Sequence, residues 1–442
     1  MTAREASFDG LVGPTHNYGG LSPGNVASES HEGQVSNPRR AALQGIEKMR
    51  FVRGLGVVQA VLPPQPRPSL ATLRRLGFGA GGSDEEVIAH AARDGEHLLR
   101  LTSSASAMWS ANAATVAPSS DTADGRVHLT PANLAQMFHR AIEADTTHAV
   151  LRAIFADETR FAVHPPLPGG GQLADEGAAN HTRLVTGAGV VHLFAWGRRS
   201  WGDARGPVRY PARQTLEASQ ALARAHRLAP QMLVFAQQHP DGIDAGAFHT
   251  DVVAVGNGHV LLVHELAFLD LEAVVGALRS ALGEALVIVE AAQAELPIAD
   301  AVAAYPFNSQ LVTLPDGSMA IVAPEESREN PRARAFLERV VASGAVAAVH
   351  HLEVRDSMNN GGGPACLRQR IVLTDEERAA IQARIFLDDA LAVELADWVS
   401  RRYRDRLTAT DLADPSLARE SMEALDELTS ILRLGSVYDF QR

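Results

Sequence analysis

A thiol in a glycine-rich loop is the first feature of this sequence that could do chemistry. Cys366 is the only cysteine among 442 residues; it follows the glycines at 361–363 and Pro364, and a predicted strand at 367–373 comes next. A thiol at a loop-to-strand junction can face a cleft, and its thiolate is a nucleophile. A lone cysteine is also commonly a small buried hydrophobic residue, so the loop alone leaves both interpretations open.

Two other segments offer the groups that a nucleophilic cysteine requires. In the segment 248–251, His249 and Asp251 would share one face of an extended strand. Glu176 lies in an acidic loop of small residues at 175–181. A histidine can act as the base that makes the thiolate, and a carboxylate can orient that histidine. Taken alone, these segments are also compatible with a hydrogen-bonded strand-end histidine and an ordinary polar turn.

Several other chemistries are disfavoured by residue type. Lys48 is the only lysine, and no Gly-x-x-x-x-Gly-Lys phosphate loop surrounds it. Residues 20–24 match the serine-hydrolase nucleophile elbow, but a loop-like segment precedes them where that motif requires a strand. The 17 histidines contain no His-Glu-x-x-His motif, and one cysteine cannot form a cysteine-rich zinc site. We therefore expect no metal site.

Charge and hydropathy limit the partners and the compartment. The net charge is −12, from 40 basic and 52 acidic residues, which argues against a nucleic-acid partner. No stretch approaches 18 uncharged apolar residues, which argues against a membrane partner, and the first ten residues lack an apolar signal core. Together with the unpaired thiol, these features predict a cytoplasmic protein.

Strands and helices alternate along most of the chain. Residues 252–263 predict a β-hairpin with an Asn-Gly turn, followed by a helix at 269–282. The same pattern recurs as a hairpin at 310–322 and a helix at 331–342. Earlier, a strand at 126–130 is predicted to run into a helix capped by Thr130, with Pro131 at its first position. Such units suggest modules around an axis, although an irregular α/β domain stays open on this pattern.

These segments resemble a known family. The chain is similar to the N-succinylarginine dihydrolases, which are members of the guanidine-modifying pentein superfamily. The resemblance covers nearly the whole chain, except for residues 185–207. The segments that carry it are 8–16, 19–22, 35–39, 103–109, 138–140, 175–181, 210–214, 248–251, 307–310, the glycine loop before Cys366, and 435–438.

The resemblance implies an α/β fold of the pentein type, a five-bladed pseudo-fivefold β/α propeller with the active site in its central channel. It implies a single catalytic domain over residues 1–442 with a helical C-terminal segment. In that segment, from Glu376 onward, Trp398, Tyr403 and Leu407 are the expected packing residues. No metal or organic cofactor is expected. The oligomeric state is left open, with a homodimer as one candidate.

The family also implies roles for individual residues of this chain. The catalytic triad would be Cys366 as nucleophile, His249 as acid and base, and Glu176 as the carboxylate that orients His249. Substrate contacts would come from the loop 19–28, the polar residues Asn112, Asp251 and Asn360, and a cationic group. In full, the expected contacts are Gly19, Gly20, Leu21, Ser22, Pro23, Gly24, Asn25, Val26, Ala27, Ser28, Asn112, His139, Arg140, Arg213, Asp251 and Asn360.

The reaction implied by the resemblance belongs to arginine catabolism in the arginine succinyltransferase pathway. N-succinyl-L-arginine and two waters would give N-succinyl-L-ornithine, two ammonia and carbon dioxide. Asp251 and Asn112 would hold the guanidinium, while Arg213, Arg140 and His139 would bind the carboxylates. Two alternatives stay open: a single-round deiminase or amidinotransferase with the same triad, and a non-catalytic binding protein built on the same ring.

Overall fold

The computed structural model describes residues 3–79 and 81–442, so Met1, Thr2 and Ala80 of the predicted domain lie outside the described residues. Its strands are short and its helices lie mostly between them. The strands are β1 (Ala3–Gly10), β2 (Val58–Leu62), β3 (Ala114–Ala117), β4 (Val127–Pro131), β5 (Phe161–Val163), β6 (His181–Thr186), β7 (Gly189–Trp196), β8 (Leu233–Gln237), β9 (Ala254–Asn257), β10 (Val260–His264), β11 (Val287–Ala291), β12 (Gln310–Thr313), β13 (Met319–Pro324), β14 (Ala348–Leu352) and β15 (Arg368–Thr374).

The helices vary from four to 17 residues. They are α1 (Val26–Ser30), α2 (Pro38–Gly54), α3 (Leu70–Arg75), α4 (Asp84–Asp94), α5 (Glu96–Thr102), α6 (Phe138–Ala141), α7 (Ala144–Ile154), α8 (Leu216–Ala225), α9 (Pro240–Asp244), α10 (Leu271–Leu282), α11 (Ile298–Ala304), α12 (Glu325–Glu329), α13 (Pro331–Ala342), α14 (Arg355–Asn359), α15 (Asp375–Ala380), α16 (Asp389–Arg402) and α17 (Pro415–Ile431). Short 3-10 helices include Ser110–Asn112, Gly177–Asn180 and Thr250–Val252.

The described strands form five three-stranded sheets with one shared pattern. The orders are β15-β1-β2, β3-β4-β5, β6-β7-β8, β9-β10-β11 and β12-β13-β14. In every sheet the central strand pairs antiparallel on one side and parallel on the other. Each parallel pair is joined through at least one helix, because a parallel connection must cross from one end of the sheet to the other.

Chain connectivity differs in one of the five sheets. In four of them all three strands are consecutive in the chain, whereas β15 from the C-terminal half supplies the antiparallel partner of β1. The register runs from Ala3 opposite Thr374 to Asp9 opposite Arg368. The two ends of the chain therefore complete one sheet together, and Cys366 lies just before the strand that does so.

The recurring hairpin and helix units are confirmed. Helix α13 has the predicted bounds because Asn330 caps its first turn, Pro331 occupies the first position, and an apolar stripe that includes Phe336 and Leu337 is buried. Helix α10 begins two residues later than predicted, since Asp270 caps it by accepting a hydrogen bond from the Ala273 amide.

The predicted helix after Thr130 is wrong. Strand β4 continues through Pro131, which pairs with Ala114, and the chain stays irregular until α6. The Thr130 hydroxyl bonds to Nε2 of His226 at 2.8 Å instead of capping a turn. Pairing with β3 and this buried contact outweigh the local Thr-Pro signal, which is a weak preference that tertiary context overrides.

The first predicted hairpin also differs in detail. Val252 belongs to the 3-10 helix Thr250–Val252 rather than to a strand, and β9 begins at Ala254. His249 is extended and precedes that helix, so His249 and Asp251 are not two positions of one strand. The tight turn is present, with Asn257 paired to Val260.

The C-terminal segment is helical, as predicted, and packs on the sheet that the chain ends build. Helix α16 lies against α2, and Trp398 at its buried face donates a hydrogen bond to the carbonyl of Ala424 at 3.1 Å. The Tyr403 hydroxyl bonds to the Val12 carbonyl at 2.8 Å. Trp398, Tyr403 and Leu407 are all buried, which confirms their expected packing role.

Candidate active site

The residues just before the outer antiparallel strand of each sheet converge on one region. Asn112 precedes β3, Glu176 and the helix Gly177–Asn180 precede β6, and His249 and the helix Thr250–Val252 precede β9. Asn308 precedes β12, and Cys366 precedes β15. The segments just before these five strands therefore supply Asn112, Glu176, His249, Asn308 and Cys366, which are far apart in the sequence.

His249 and Glu176 form a buried pair. Nε2 of His249 lies 2.7 Å from Oε2 of Glu176, and Nδ1 of His249 lies 3.3 Å from Nδ2 of Asn112. Because a carboxylate only accepts and an amide nitrogen only donates, the neutral imidazole carries its proton on Nε2 and leaves Nδ1 as the basic atom. Burial lowers the pKa of His249 to about 4, against the opposing effect of Glu176.

Glu176 stays ionised at this buried position. Burial favours its neutral form, but the hydrogen bond from His249 and the charges of Arg140 and Arg213 outweigh burial and lower the pKa to about 2. Nη1 of Arg140 lies 3.5 Å from Oε2 of Glu176, which is the same oxygen that His249 contacts. The carboxylate thus has both an orienting contact and a cationic neighbour.

The Cys366 thiol lies between an amide and a carboxyl group. Its Sγ is 3.1 Å from Nδ2 of Asn308 and 3.6 Å from Oδ2 of Asp251. The side chain is 4 % exposed. Burial and the nearby carboxylate raise the pKa of the thiol well above its ordinary value, and burial raises the pKa of Asp251 to about 7. Without a ligand, the thiol is therefore protonated at neutral pH.

The glycine loop brings the thiol into contact with its neighbours. Gly361 has a φ of +92°, which favours glycine, and a Cβ on Gly362 would approach the Trp109 ring to 2.3 Å. A Cβ on Gly363 would lie 2.5 Å from the carbonyl oxygen of Asn308. Three successive glycines are thus explained by backbone conformation and by close approach.

A pocket beside the thiol collects most of the predicted polar residues. The residues that line it are Ser22, Asn25, Ser106, Trp109, Asn112, Arg140, Arg213, Phe248, His249, Gly361 and Cys366. A second pocket shares Ser22, Asn25, Ser106 and Trp109 with the first and extends away from the thiol. The other residues that line it are Asn17, Gly19, Gly20, Leu21, Ser28, Ser104, Ala105, His139 and Asn360.

Not every predicted contact lines these two pockets. Glu176 lies behind His249, and Asp251 contacts the thiol while facing a separate pocket on the side of β6, β9 and β15. Pro23 takes part through its carbonyl, which accepts a hydrogen bond from Arg213, and the Gly24 amide donates to Glu29. Val26 and Ala27 line neither pocket, and Val26 is exposed.

Arg213 and His139 are buried at opposite parts of this double pocket. The guanidinium of Arg213 lies 4.4 Å from the centre of the Phe248 ring and donates to the Pro23 carbonyl at 2.9 Å. Nε2 of His139 lies 3.2 Å from the Ser22 hydroxyl. Burial and the charge of Arg140 lower the pKa of His139 to about 3, so it is a neutral hydrogen-bonding group here.

Asn360 links the glycine loop to the loop 19–28. Its Nδ2 donates to the Asn17 carbonyl at 3.1 Å, and the Ser28 hydroxyl reaches its Oδ1 at 3.5 Å. Helix α14, just before Asn360, is held by Asp356, which accepts from Tyr18 at 3.0 Å and from Arg40 at 2.7 Å. The two segments that enclose the second pocket are therefore tied together.

The chain is similar to known proteins over nearly its whole length. The family model described as succinylarginine dihydrolase matches residues 2–441. The chain belongs to the succinylarginine dihydrolase family. The N-succinylarginine dihydrolase of Myxococcus xanthus (strain DK1622) is 71% identical over 441 residues, covering 99% of this chain and 100% of that protein. The protein of the same name from Burkholderia thailandensis is 55% identical over 448 residues, with full coverage of both.

Solved structures of other proteins share the fold. The N-terminal domain of ArgZ, an arginine dihydrolase from the ornithine-ammonia cycle in cyanobacteria, was solved as a variant bound to substrate. It matches with a TM-score of 0.50 and 15% identity over 84% of this chain and 98% of that one. Unliganded AgrE matches with a TM-score of 0.51 and 14% identity over 84% and 41%. Both have the pentein fold, and the α/β structure with five small sheets agrees with them.

The described part of the chain shows neither a cluster of metal-binding side chains nor a helix suited to a membrane. Across residues 3–79 and 81–442, no three His, Cys, Asp or Glu side chains are grouped in a way that could hold a metal ion. Over the same residues, no helix combines the length and apolar character required to cross a bilayer.

Sequence reasoning missed two features of the site. Asn308 lies within a segment that resembles the family, but the resemblance implies no role for it, although it precedes a predicted hairpin strand as other site residues do. Arg140 was expected to face substrate carboxylates, and its contact with Glu176 was not foreseen, because nothing local in the sequence relates residues 36 positions apart.

Proposed function

We propose that the protein hydrolyses N-succinyl-L-arginine to N-succinyl-L-ornithine, carbon dioxide and two ammonia, with Cys366 as nucleophile. Membership of the succinylarginine dihydrolase family supports this reaction, and the structural observation that carries the residue assignment is the shared pocket of Cys366 and His249. In this proposal His249 is the acid and base, and Glu176 orients it through the 2.7 Å contact.

The guanidinium would be held by Asp251, with Asn112 nearby. A bound guanidinium brings a positive charge next to two groups whose pKa values are raised by burial, the Asp251 carboxyl and the Cys366 thiol. That charge favours the ionised form of both. The thiol proton then passes to Nδ1 of His249, and the resulting imidazolium is stabilised by ionised Glu176. The substrate thus helps to create the thiolate that attacks it.

The first round would replace one nitrogen by oxygen. The thiolate adds to the guanidinium carbon, and protonated His249 gives its proton to a departing amino group, which leaves as ammonia. Neutral His249 then takes a proton from water, which adds to the thiouronium carbon and expels the thiolate. The product of this round is a ureido compound.

The second round would act on the same carbon. Attack on the ureido carbon expels the second ammonia and leaves a thiocarbamate on Cys366. Water displaces the thiolate from it, and the released carbamate loses carbon dioxide to give the ornithine amine. Two waters are consumed and two ammonia are released, so the atoms balance without a cofactor.

The succinyl and α-carboxylate groups would be bound where the pocket beside the thiol, which contains Arg140 and Arg213, meets the second pocket. Arg213 and Arg140 are the available cations, and a guanidinium can pair with a carboxylate through two parallel hydrogen bonds. His139 would contribute a neutral hydrogen bond, because its pKa is lowered to about 3. The loop 19–28 would close the pocket from the side of Ser22 and Asn25.

We infer that the five sheets close into one pseudo-fivefold propeller, so that residues 1–442 make one catalytic domain. Two features support this inference: β15 joins β1, and β15 also lies against β3 of the next sheet in sequence. Contacts of β9 with β6 and with β12 continue the same arrangement.

Ammonia stoichiometry tests the reaction. Purified protein is supplied with N-succinylarginine or with free arginine, and ammonia and the carbon product are measured. We expect two ammonia per N-succinylarginine and far slower release from arginine. One ammonia with accumulation of a ureido product would indicate a deiminase, and transfer to an amine would indicate an amidinotransferase.

The Cys366→Ala variant is the matched control. It removes the nucleophile while leaving the Asn308 and Asp251 side chains in place, so we expect folded protein that binds N-succinylarginine without turnover. Wild-type turnover by this variant would contradict the nucleophile assignment. A ligand-induced thermal shift in the wild-type protein without any turnover would favour a binding protein instead.

A further inference from the structure

Asn308 is a fully buried amide that contacts the thiol directly. It lies between α11 and β12, and its Nδ2 is 3.1 Å from Sγ of Cys366. Its Oδ1 accepts a hydrogen bond from the Gly363 amide at 2.8 Å. Its backbone carbonyl accepts another from the Ala365 amide at 3.2 Å. One residue therefore contacts three positions of the segment that carries the thiol.

These contacts fix the orientation of the amide. Oδ1 faces a backbone N–H, which can only donate, so the oxygen must point towards Gly363. Nδ2 is then directed at Sγ, and it can only donate. Rotating the amide by 180° would place two donors against each other at Gly363 and remove the donor at the sulfur. The geometry consequently holds an N–H group towards Cys366.

The charged and titratable groups around the sulfur do not all favour a thiolate, so a hydrogen-bond donor at this position would help to stabilise it. Asp251 lies 3.6 Å away and disfavours a thiolate, while Arg140 favours one. His249 lines the same pocket. A charge on Cys366 also raises the pKa values of Tyr305 and Lys48, so both side chains lie within electrostatic range of the sulfur. Burial and Asp251 raise the pKa of the thiol, whereas the hydrogen bond from Asn308 acts in the opposite direction.

We propose that Asn308 is a further catalytic residue, whose side-chain amide donates a hydrogen bond to the Cys366 thiolate. This inference rests on the proposed function, because it takes Cys366 as the nucleophile. A hydrogen bond to an ionised acceptor is stronger than one to a neutral acceptor, so Asn308 stabilises the thiolate more than the thiol. The thiolate is needed at each attack and reappears as the leaving group at each hydrolysis, which is four times per substrate.

The position of Asn308 in the fold supports the assignment independently. The residues before β3, β6, β9 and β15 supply Asn112, Glu176, His249 and Cys366. The equivalent position before β12 supplies Asn308, and without a role for it the fifth sheet would contribute no group to the chemistry. Asn308 does not line the pocket beside the thiol, so it acts on the sulfur and not on the substrate.

The lone cysteine makes the test direct, because every thiol signal comes from Cys366. Thiolate absorbance at 240 nm and the rate of iodoacetamide alkylation are followed against pH in the substrate-free protein. We expect Asn308→Leu, which removes the donor with little change in volume, to slow alkylation at a fixed pH by at least about tenfold, which corresponds to a rise of about one unit in the pKa of Cys366. We expect kcat to fall at least about tenfold, with a much smaller change in KM.

Asn308→Asp separates the two functions of the amide. A carboxylate keeps an acceptor for the Gly363 amide but offers no N–H to the sulfur and adds a negative charge. We expect a larger rise in the apparent pKa of Cys366 than in Asn308→Leu. Ser309→Ala is the control, since Ser309 bonds only to the Tyr305 carbonyl in the same segment, and it should titrate like the wild type.

A wild-type alkylation profile in folded Asn308→Leu would overturn the proposal. Should that variant fail to fold, Asn308→Asp decides, and a wild-type profile there would overturn the proposal as well. Because alkylation is measured without substrate, the outcome does not depend on which guanidino compound the protein hydrolyses. Failure of the ammonia experiment and failure of this one are thus distinguishable.

Discussion

Nε2 of His249 and Oε2 of Glu176 lie 2.7 Å apart in a buried site, and Arg140 approaches the same oxygen to 3.5 Å. The carboxylate therefore remains ionised while the imidazole is neutral, with its basic Nδ1 on the side of Asn112. Burial on balance lowers the pKa of His249 to about 4, and the fixed negative charge of Glu176 opposes that effect and favours the imidazolium when a proton arrives.

Glu176→Gln should separate orientation from charge. Glutamine has nearly the same shape, but it offers no negative charge to imidazolium, so we expect kcat to fall by about 10²–10⁴ while binding of substrate changes little. Steady-state kinetics and calorimetric binding measure the two effects. Glu217→Gln is the control, since Glu217 bonds to backbone amides at Ser200 and Trp201. Unchanged kcat in Glu176→Gln would contradict the proposed role.

Asp251 links activity to pH. Its pKa is raised to about 7 by burial, and only the ionised form attracts a guanidinium. We expect kcat/KM to rise with pH through about 7 and KM to increase below that value. A profile of kcat/KM from pH 5 to 9 measures this dependence. A profile that stays flat across pH 7 would contradict the assignment of Asp251 to guanidinium binding.

The same group predicts the pH dependence of stability. The unfolded state releases the Asp251 proton near the ordinary pKa of 3.8, whereas the folded state holds it up to about 7. The free energy of unfolding therefore falls as the pH rises from about 4 to 7, and it stays lower above pH 7. Asp251→Asn should stabilise the substrate-free protein at pH 8 by about 2–4 kcal/mol and much less at pH 4, as measured by urea unfolding. Equal effects at both pH values would contradict this prediction.

Arg213 is expected to select the acyl group of the substrate. Arg213→Lys keeps a positive charge but loses the planar group that lies on Phe248 and donates to Pro23. Calorimetry in the Cys366→Ala background should show at least about tenfold weaker binding of N-succinylarginine and a smaller change for arginine. Arg209→Lys, at an exposed guanidinium that lies over the Tyr210 ring, is the control. An equal loss of affinity for N-succinylarginine and arginine would show that Arg213 does not contact the succinyl group.

Lys48 is predicted to stabilise the fold rather than to react. The only lysine is buried in an ion pair with Asp9, and Asp9 also accepts from Gln59 at 2.7 Å. Lys48→Met leaves an unpaired buried carboxylate, which should cost about 3–5 kcal/mol of unfolding free energy in urea titrations. Lys48→Met combined with Asp9→Leu should recover much of that loss. Similar destabilisation in the double variant would contradict a pairwise effect.

Local patterns explain how much of the fold could be predicted. Helix α13 and the hairpin of β12 and β13 follow from a cap, a turn and an apolar stripe that lie within a few residues of one another. The prediction of a helix after Thr130 was wrong because residues distant in the sequence contact this segment. Strand β3 pairs with Pro131, and His226 bonds to Thr130. Such competition has no signature in the segment itself.

Residue types and motifs alone predict one available thiol, a histidine and carboxylates in loops next to strands, and a resemblance to a family with this set. Three contacts are visible only in the folded chain: Asn308 donates to Cys366, Arg140 approaches Glu176, and Asp251 lies against the thiol. The reason is that these pairs are separated by 36 to 115 positions, and the arrangement of five sheets alone sets their distances. Residue types define the available chemistry, while burial and proximity set the protonation state of each group.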